Sequence, residues 1–251
     1  MKHQGAASKS HHNTGEVVLR LDNVCKSFGE TEVLRSISLE VKRGEFIALV
    51  GPSGCGKTTL LNLMSGFDVP ATGTVNRSES GHMIYQSDGL FPWRTAAQNI
   101  ELGLQSASDE IHREKELQNI LDLIGLNGFG NHYPHELSGG MRQRVELARA
   151  LVGGNNLLLM DEPFSALDYI TRLYMRREFV RLLEKRPRTV VLVTHDIEEA
   201  AQLADRVLVL TERPARIRSE RMISLPRPRE LTHPEVVKAV HDVLIEMGLE
   251  K

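Results

Sequence analysis

The sequence contains few cysteines and no long apolar run. Cys25 and Cys55 are the only cysteines among 251 residues, and neither has a second potential metal ligand at a suitable spacing. We therefore expect two reduced thiols, as in a cytosolic protein, rather than a disulfide framework. No apolar run approaches the ~18–20 residues that a membrane-spanning helix needs. The sequence thus predicts a globular protein without a transmembrane segment.

An excess of either charge is also lacking. The chain has 31 lysines and arginines against 33 aspartates and glutamates, for a net charge of -2. Proteins that bind nucleic acid through bulk positive charge are usually strongly basic, so we expect no nucleic-acid partner of that kind. A local basic patch is compatible with this balance. Residues 1–15 are small and polar and lack the apolar segment of a signal peptide, which predicts a disordered leader.

The strongest motif is the glycine-rich segment 51–59, GPSGCGKTT. It follows the apolar run 46–50 and precedes a helical pattern, which predicts a strand, a turn and a helix. Its glycines and the following Lys57 and Thr58 match the phosphate-binding pattern G-x-x-x-x-G-K-[ST]. Backbone N–H groups of such a loop point at a phosphate chain, and the helix dipole adds to the attraction. We expect Lys57 to reach the β- and γ-phosphates and Thr58 to ligate Mg²⁺.

A second motif places two carboxylates after a buried strand. Residues 157–160 are apolar and are followed by Asp161 and Glu162. The carboxyl end of such a strand lies near the phosphate loop in parallel sheets, so Asp161 is predicted to hold Mg²⁺. Glu162 is predicted to orient and deprotonate an attacking water.

The pattern of apolar residues predicts an α/β fold. Alternation over residues 16–22 and 33–41, with a turn region between them, indicates an antiparallel β-region at the N-terminus. Continuous apolar runs separated by helical segments indicate a mostly parallel sheet covered on both faces. Residues 95–131 are predicted to be mostly helical, so an inserted helical subdomain is expected over about 87–153.

The C-terminal segment has a different composition. Residues 224–229 are rich in proline and arginine and predict a linker, and the following helix carries one apolar stripe. That stripe is expected to pack on the main body, with partner binding as the alternative. We therefore predict a leader over 1–15, a main domain over 16–224, and a linker with an amphipathic helix over 225–251.

A third motif suggests a family. The sequence LSGGMRQR at 137–144 resembles the signature of ABC-type ATPases, and other motifs of that family follow in the same order. Gln86 matches the Q-loop, residues 165–168 match the D-loop, and His195 matches the switch histidine. Phe28 occupies the position of the aromatic A-loop residue. The resemblance runs from about residue 17 to at least residue 210, and it identifies the main domain as an ABC-type ATPase domain with a P-loop NTPase core.

The resemblance implies a nucleotide site shared between two copies of the chain. The signature residues Ser138, Gly139, Gly140 and Met141 would meet the γ-phosphate of ATP bound to the other copy, forming a homodimer on nucleotide binding. Lys57, Glu162 and His195 would be catalytic, and Asp168 would couple the two sites. The implied metal ligands are Thr58, Gln86 and Asp161. The implied nucleotide contacts are Phe28, Gly51, Pro52, Ser53, Gly54, Cys55, Gly56, Lys57, Thr58, Thr59 and Gln86.

One residue departs from the family pattern. The family commonly has glutamine as the fifth signature residue, where this chain has Met141. Because the anion-binding part is Ser-Gly-Gly, we expect ATP sandwiching to survive, with a polar contact to ribose or water lost.

Within the family, the chain resembles the ATP-binding subunits of bacterial nitrate/sulfonate/taurine-type importers. The resemblance depends on LFPWR at 90–94, the LSGGM signature, and the Arg213-Pro214 and 226–229 segments. It implies a peripheral protein on the cytoplasmic face of the inner membrane, working with two membrane permease subunits and a substrate-binding protein. Phe91, Pro92, Trp93 and Arg94 would contact a permease; packing of Trp93 inside the helical subdomain is the alternative.

Three other functions are alternatives to that of an importer ATPase. A soluble ABC-type ATPase acting on nucleic acid or ribosomes would have a basic surface, a second ATPase domain or a coiled-coil insertion. A P-loop kinase would leave the signature unexplained. A non-hydrolysing, nucleotide-dependent interaction module is disfavoured by the presence of Lys57, Asp161, Glu162 and His195. The transported substrate stays open among nitrate, alkanesulfonates, taurine and a pyrimidine-like nutrient.

Overall fold

A computed structural model describes residues 15–85, 89–104 and 110–250. Most of the predicted leader and Gln86 lie outside the described residues. The strands within these ranges are β1 (Val17–Phe28), β2 (Thr31–Lys42), β3 (Phe46–Val50), β4 (Thr72–Arg77), β5 (Gly81–Ile84), β6 (Leu157–Asp161), β7 (Thr189–Val193), β8 (Arg206–Leu210) and β9 (Ile217–Met222). The helices are α1 (Lys57–Ser65), α2 (Ala96–Glu101), α3 (Glu110–Leu123), α4 (Gly139–Val152), α5 (Tyr169–Lys185), α6 (Ile197–Leu203) and α7 (Pro234–Glu246).

The larger sheet has the strand order β5-β6-β7-β3-β8-β9. All of its pairs are parallel except that of β8 with β9. Every residue of β3, β6 and β7 is buried, which explains their continuous apolar sequences. The predicted α/β fold with a mostly parallel sheet is therefore confirmed.

The smaller sheet is antiparallel and has the order β2-β1-β4. The predicted antiparallel N-terminal region is confirmed, but the predicted turn over 23–32 is too long, because β1 continues to Phe28. The pairing of β1 with β2 shifts register several times, and Asn23 has φ 47°. These irregularities break the alternation on which the prediction depended.

Two edge strands were not predicted from the sequence. The segment 69–74 is rich in turn-forming residues, yet β4 begins within it at Thr72, and β9 follows the paired Arg213 and Pro214. Both strands expose most of their side chains, so neither has an apolar pattern. In β4 a Cβ atom at Gly73 would lie 2.4 Å from the carbonyl oxygen of Asn23, so glycine permits this close approach of strands.

The two faces of the larger sheet pack against different layers. Phe46, Ala48 and Val50 belong to the core beneath helices α2 to α7. Ile47 and Leu49 belong to a second core shared with α1 and the smaller sheet. The alternate residues of β3 thus serve two hydrophobic layers, and the loop after β3 emerges between them.

Helices α2, α3 and α4 lie between β5 and β6 in the chain, where a helical insertion was predicted. Each of the helices α4, α5 and α6 begins after a side-chain cap. Ser138, Asp168 and Asp196 each accept a hydrogen bond from the backbone N–H three residues later, and so cap α4, α5 and α6. No helix among the described residues is long and apolar enough to cross a membrane.

The segment predicted as a linker is held tightly in the structure. Arg227 reaches the carboxylate of Asp205 at 3.1 Å, and the Arg229 side chain is only 1% exposed. Arg229 donates hydrogen bonds to the carbonyls of Leu225 and Ile223, and to carbonyls of α6 and its C-cap. The segment 225–229 is therefore an ordered part of the domain and not a free linker. Its arginines bond to buried carbonyl groups and to Asp205. From the apolar stripe of α7, Val236 and Val243 are buried in the main core.

Candidate nucleotide site

A cavity of about 610 Å³ lies at the carboxyl ends of β3, β6 and β7. These strands are adjacent and parallel, so the loops that follow them meet at one edge of the sheet. The residues lining the cavity come from the phosphate loop and the start of α1, from the end of β6, from the end of β7 and the loop that follows it, and from the segment after β8. They are Ser53, Gly54, Gly56, Lys57, Thr58, Thr59, Asp161, Glu162, Val193, His195 and Arg213. Most of the predicted catalytic and phosphate-contacting residues are therefore brought together.

The phosphate loop depends on its glycines. Gly54 and Gly56 have φ of 72° and 120°, a region that side chains rarely adopt. A Cβ atom at Gly56 would lie 2.7 Å from Val33 Cγ1, so the loop packs closely on β2. Cys55 is a free, buried thiol whose pKa is raised by desolvation, which makes it a poor nucleophile. A second hollow of about 410 Å³ lies beside the loop and is lined by Pro52, Ser53, Gly54, Cys55, Glu212 and Arg213.

Lys57 is held inside the loop. Its ammonium group donates hydrogen bonds to the carbonyl oxygens of Gly51 at 2.8 Å and Pro52 at 2.9 Å. The residue is only 7% exposed, yet it lines the cavity. A partly desolvated positive charge with neutral partners is well suited to bind an anionic phosphate group.

Asp161 lies next to the first helical turn after the loop. The Thr58 hydroxyl donates a 2.6 Å hydrogen bond to Asp161 Oδ2. Burial is the main cause that raises the pKa of Asp161; the Thr58 hydrogen bond opposes it, and the negative charge of Glu162 adds to it. A hydroxyl and a carboxylate with an adjacent second carboxylate form an oxygen-rich, negatively charged set. These donors fit Mg²⁺, which binds proteins through one or two carboxylates and takes other ligands from phosphate and water.

Glu162 and His195 both line the cavity, and their side chains are in contact. His195 Nδ1 lies 3.1 Å from Glu162 Oε2. Glu162 has φ 49°, an unusual conformation for a residue other than glycine, and its N–H donates to the carbonyl of Val193 at 2.9 Å. Strained residues of this kind often occur at functional sites. The carboxylate thus points toward the loop after β7 and not along the continuation of β6.

The signature segment lies at a different place from the cavity. The Ser138 side chain accepts a hydrogen bond of 3.3 Å from the Met141 N–H, and Ser138 and Gly139 are exposed. None of the four signature residues is among the described residues that line the 610 Å³ cavity. The start of α4 therefore offers an exposed helix N-terminus. Met141 is partly buried and packs against the main core.

Two other predicted residues, Phe28 and Asp168, lie at the surface and at a helix cap. Phe28 ends β1, is 54% exposed, and has the Lys26 ammonium 4.9 Å from its ring centroid. Phe28 does not line the described cavity. Asp168 accepts a 3.0 Å hydrogen bond from the Thr171 N–H as the N-cap of α5. The Thr171 side chain, followed by this N–H, lowers the pKa of Asp168.

Phe91 and Trp93 form an exposed aromatic pair. Their ring centroids are 5.4 Å apart, and 69% of Trp93 is exposed. The alternative prediction, with Trp93 packed in the helical subdomain, is wrong in this structure. Asn99 stabilises the segment from α2: it is fully buried, accepts from the Phe91 N–H, and donates to the carbonyls of Phe91, Arg94 and Thr95.

Asn99, Gln143 and Arg213 contribute to the site but were not predicted from the sequence. The Gln143 side chain donates to the Glu162 carbonyl at 3.4 Å and accepts from the Ala166 N–H at 3.1 Å, bracing the segment after β6. In the sequence, only its place within the motif at 137–144 indicated a role for Gln143. Arg213 lines both hollows beside the phosphate loop. It had been noted only as part of an Arg-Pro pair.

Comparison with known proteins agrees with this geometry. A sequence model described as ABC transporter matches residues 34–165. The chain is 44% identical over 250 residues to "Aliphatic sulfonates import ATP-binding protein SsuB 1" of Agrobacterium fabrum, covering 97% of this chain and 90% of that protein. It is 41% identical over 231 residues to "Nitrate import ATP-binding protein NrtC" of Synechococcus elongatus, covering 85% of this chain and 35% of that protein.

Solved structures give the same result. The dimeric structure of MJ0796, described as a bacterial ABC transporter cassette, superimposes with a TM-score of 0.73 at 32% identity. It covers 83% of this chain and 100% of that one. A dimeric post-hydrolysis state of MJ0796, bound to ADP and Pi, has a TM-score of 0.72 at 31% identity, with the same coverage.

Proposed function

The chain belongs to the ABC transporter family, and we propose that it is the ATP-hydrolysing subunit of an importer for a small anionic or polar nutrient. The observation that carries this proposal is the single cavity that joins Lys57, the Thr58–Asp161 pair and the Glu162–His195 pair. The similarity to sulfonate and nitrate import proteins supports the nitrate/sulfonate/taurine class of substrate.

In this proposal the phosphate loop binds ATP and the charged residues neutralise its phosphates. Lys57 exchanges its two carbonyl partners for β- and γ-phosphate oxygens. Thr58 and Asp161, with Gln86 outside the described residues, would hold Mg²⁺. That ion would supply charge neutralisation at the β- and γ-phosphates. The exposed ring of Phe28 offers a face on which adenine stacks.

Glu162 acts as the general base. Its carboxylate accepts a proton from the attacking water as the water oxygen bonds to the γ-phosphorus and the bond to the β-phosphate oxygen breaks. His195 donates to Glu162 or to the γ-phosphate and so holds the base in place. The positive φ of Glu162 supports this role, because it turns the carboxylate toward His195.

The exposed signature supports a dimeric active state. Ser138, Gly139, Gly140 and Met141 form a helix start suited to an anion and do not line the chain's own cavity, so we propose that they act on ATP bound to a second copy. Asp168, at the start of α5, then couples the two sites. The chain works at the cytoplasmic face of a membrane, where Phe91, Pro92, Trp93 and Arg94 contact one of two permease subunits. A substrate-binding protein selects the cargo.

ATP hydrolysis by the purified chain tests the enzymatic part of the proposal. We expect Mg²⁺-dependent phosphate release that is lost in Lys57→Ala, while Lys115→Ala, which changes a lysine of α3, keeps parental activity. Equal activity in Lys57→Ala and the parent would contradict the assignment of the site. For the importer part, we expect the tagged chain to purify from membranes with two permease subunits. Recovery of a fully active chain that associates with no membrane protein would favour the soluble ATPase instead.

A further inference from the structure

A buried group of charges lies beside His195. The Arg176 side chain on α5 is 2% exposed and pairs with Asp196 at 2.5 Å and Glu199 at 3.3 Å. The Thr194 hydroxyl donates to the same Glu199 oxygen at 2.8 Å. Removing charges from water is costly, and a buried ion pair often stabilises a fold no better than apolar side chains of similar volume. The position of the group in the site is therefore more informative than its contribution to stability.

The group ties down both neighbours of His195. The Asp196 N–H donates to Thr194 Oγ1 at 3.0 Å, across the histidine. The Asp196 carboxylate also accepts from the Glu199 N–H at 3.0 Å and so caps α6. The His195 side chain itself is 64% exposed. The residues on both sides of His195 are therefore held in place. Because the exposed ring has few contacts that fix it, its position depends mainly on this held backbone.

The same group is connected to the start of α5. Arg172, one turn before Arg176, lies 3.6 Å from the Asp196 carboxylate and donates to the Leu167 carbonyl at 3.0 Å. Leu167 immediately precedes Asp168, the N-cap of α5. A continuous set of contacts therefore runs from the segment 165–168, through α5, to the residues that flank His195.

We infer that Arg176, with Arg172 beside it, is a positioning residue for His195. Its ion pairs hold the His195 backbone at a set distance from α5, so that a displacement of the segment 165–168 changes the Glu162–His195 contact. This inference rests on the proposed function, in which His195 acts on Glu162 and the segment 165–168 faces a second copy. It adds residues that touch neither ATP nor the reacting water.

The charges in the group are balanced. Two arginines from α5 face two carboxylates, one from the loop after β7 and one from α6. Burial raises the pKa of Glu199 to about 7, against the opposing effects of Arg176 and Thr194. Near neutral pH the ionised Glu199 thus depends on Arg176. The loss of this arginine would leave Glu199 without its ion pair to α5, and would leave Asp196 only the longer contact with Arg172 at 3.6 Å.

A double-mutant cycle tests whether Arg176 acts through His195. We expect Arg176→Met to lower kcat about tenfold or more with the KM for ATP within about twofold of the parent, because only the reacting geometry is disturbed. In a His195→Ala background the same change should alter single-turnover hydrolysis by less than about twofold. Arg176→Lys keeps the charge but cannot bridge both carboxylates equally well, so it should fold and have an intermediate kcat.

Arg229→Met is the matched control. Arg229 is an equally buried arginine that donates to four carbonyl groups, those of Ala201, Ala204, Ile223 and Leu225, and none of these residues flanks His195. Its removal should lower the melting temperature and leave the kcat of the folded protein within about twofold of the parent, as expected for a structural role.

Each result decides a different point. If Arg176→Met lowered kcat by the same factor with and without His195, the inference would be wrong and the proposed function would stand. A parental kcat in both Arg176→Met and Arg176→Lys would also show that the inference is wrong, and the proposed function would again stand. If His195→Ala itself hydrolysed ATP at the parental rate, the proposed role of His195 would be wrong, and the inference would fail with it.

Discussion

The Thr58 hydroxyl donates a 2.6 Å hydrogen bond to Asp161, a residue 103 positions away in the chain. This contact joins the helix that follows the phosphate loop to the end of β6. It leaves the Asp161 carboxylate buried beside Glu162, with no ion pair to a cation among the residues that the structure describes. The two halves of the proposed Mg²⁺ site are thus already in contact within one chain, and several predictions depend on this arrangement.

Asp161→Asn should stabilise the nucleotide-free protein and weaken Mg²⁺-ATP binding. Burial raises the pKa of Asp161 above its ordinary value of 3.8 in the folded state. The parent is therefore most stable, with respect to this group, below pH about 4, and it loses that stability as pH rises through the raised pKa. Melting temperatures from pH 4 to 8 should fall more in the parent than in the variant. The exposed Asp22→Asn is the control, and parallel curves for parent and Asp161→Asn would contradict the prediction.

Glu162→Gln should keep ATP binding and lose hydrolysis by a factor of about 10² or more, because the amide cannot accept the proton of the water. ATP should then accumulate in a closed dimer that size-exclusion chromatography detects. The control is Glu198→Gln, which changes an exposed glutamate in the first turn of α6 and should leave binding and hydrolysis as in the parent. Parental turnover in Glu162→Gln would remove this residue as the base.

Arg213→Ala should raise the KM for ATP by about three- to tenfold with little change in kcat, because a positive charge beside the phosphate loop binds ground state and transition state alike. The Arg213 guanidinium lies 3.8 Å from the position of a Cβ atom at Gly54. Arg216→Ala, an exposed arginine three residues later, serves as the control. The KM should also rise more steeply with salt in the parent than in the variant, and an unchanged KM would show that Arg213 does not contact the nucleotide.

Asn99→Ala should lower the free energy of unfolding by about 1–3 kcal/mol, since it leaves the Phe91 N–H and three carbonyls without their buried partner. Urea unfolding measures this loss. Trp93 is the only tryptophan, so its emission spectrum reports the same segment directly. The exposed Asn127→Ala should change neither observable, and an unaltered spectrum in Asn99→Ala would contradict the role of Asn99.

Met141→Gln should change ATP turnover by less than about threefold, since the residue is partly buried against the core and the anion-binding groups belong to Ser138, Gly139 and Gly140. Met141→Leu, which conserves volume and polarity, should match the parent. Steady-state kinetics at saturating ATP provide the comparison. A large gain or loss in Met141→Gln alone would mean that the side chain contacts the partner's nucleotide.

Much of the site could be predicted because most of its functional residues belong to short sequence motifs. The phosphate loop with its glycines, Lys57 and Thr58, the two carboxylates at the end of β6, and the signature at 138–141 each depend on residues within a few positions of one another. Residues such as Asn99, Gln143 and Arg213 could not be predicted in this way. Their partners lie in other segments, and no local pattern distinguishes them from ordinary polar residues.

The sequence by itself determined the order of the buried strands and of most helices, and the type of each reacting group, because backbone preference and apolar periodicity act over a few residues. Only the tertiary structure decided that Thr58 meets Asp161, that Glu162 turns toward His195, and that the arginines at 227 and 229 are bound rather than free. Those outcomes depend on strand order and on the burial of polar groups between distant segments. The edge strands β4 and β9 belong to the same class, since it is pairing with a neighbour, and not an apolar pattern, that holds them in the sheets.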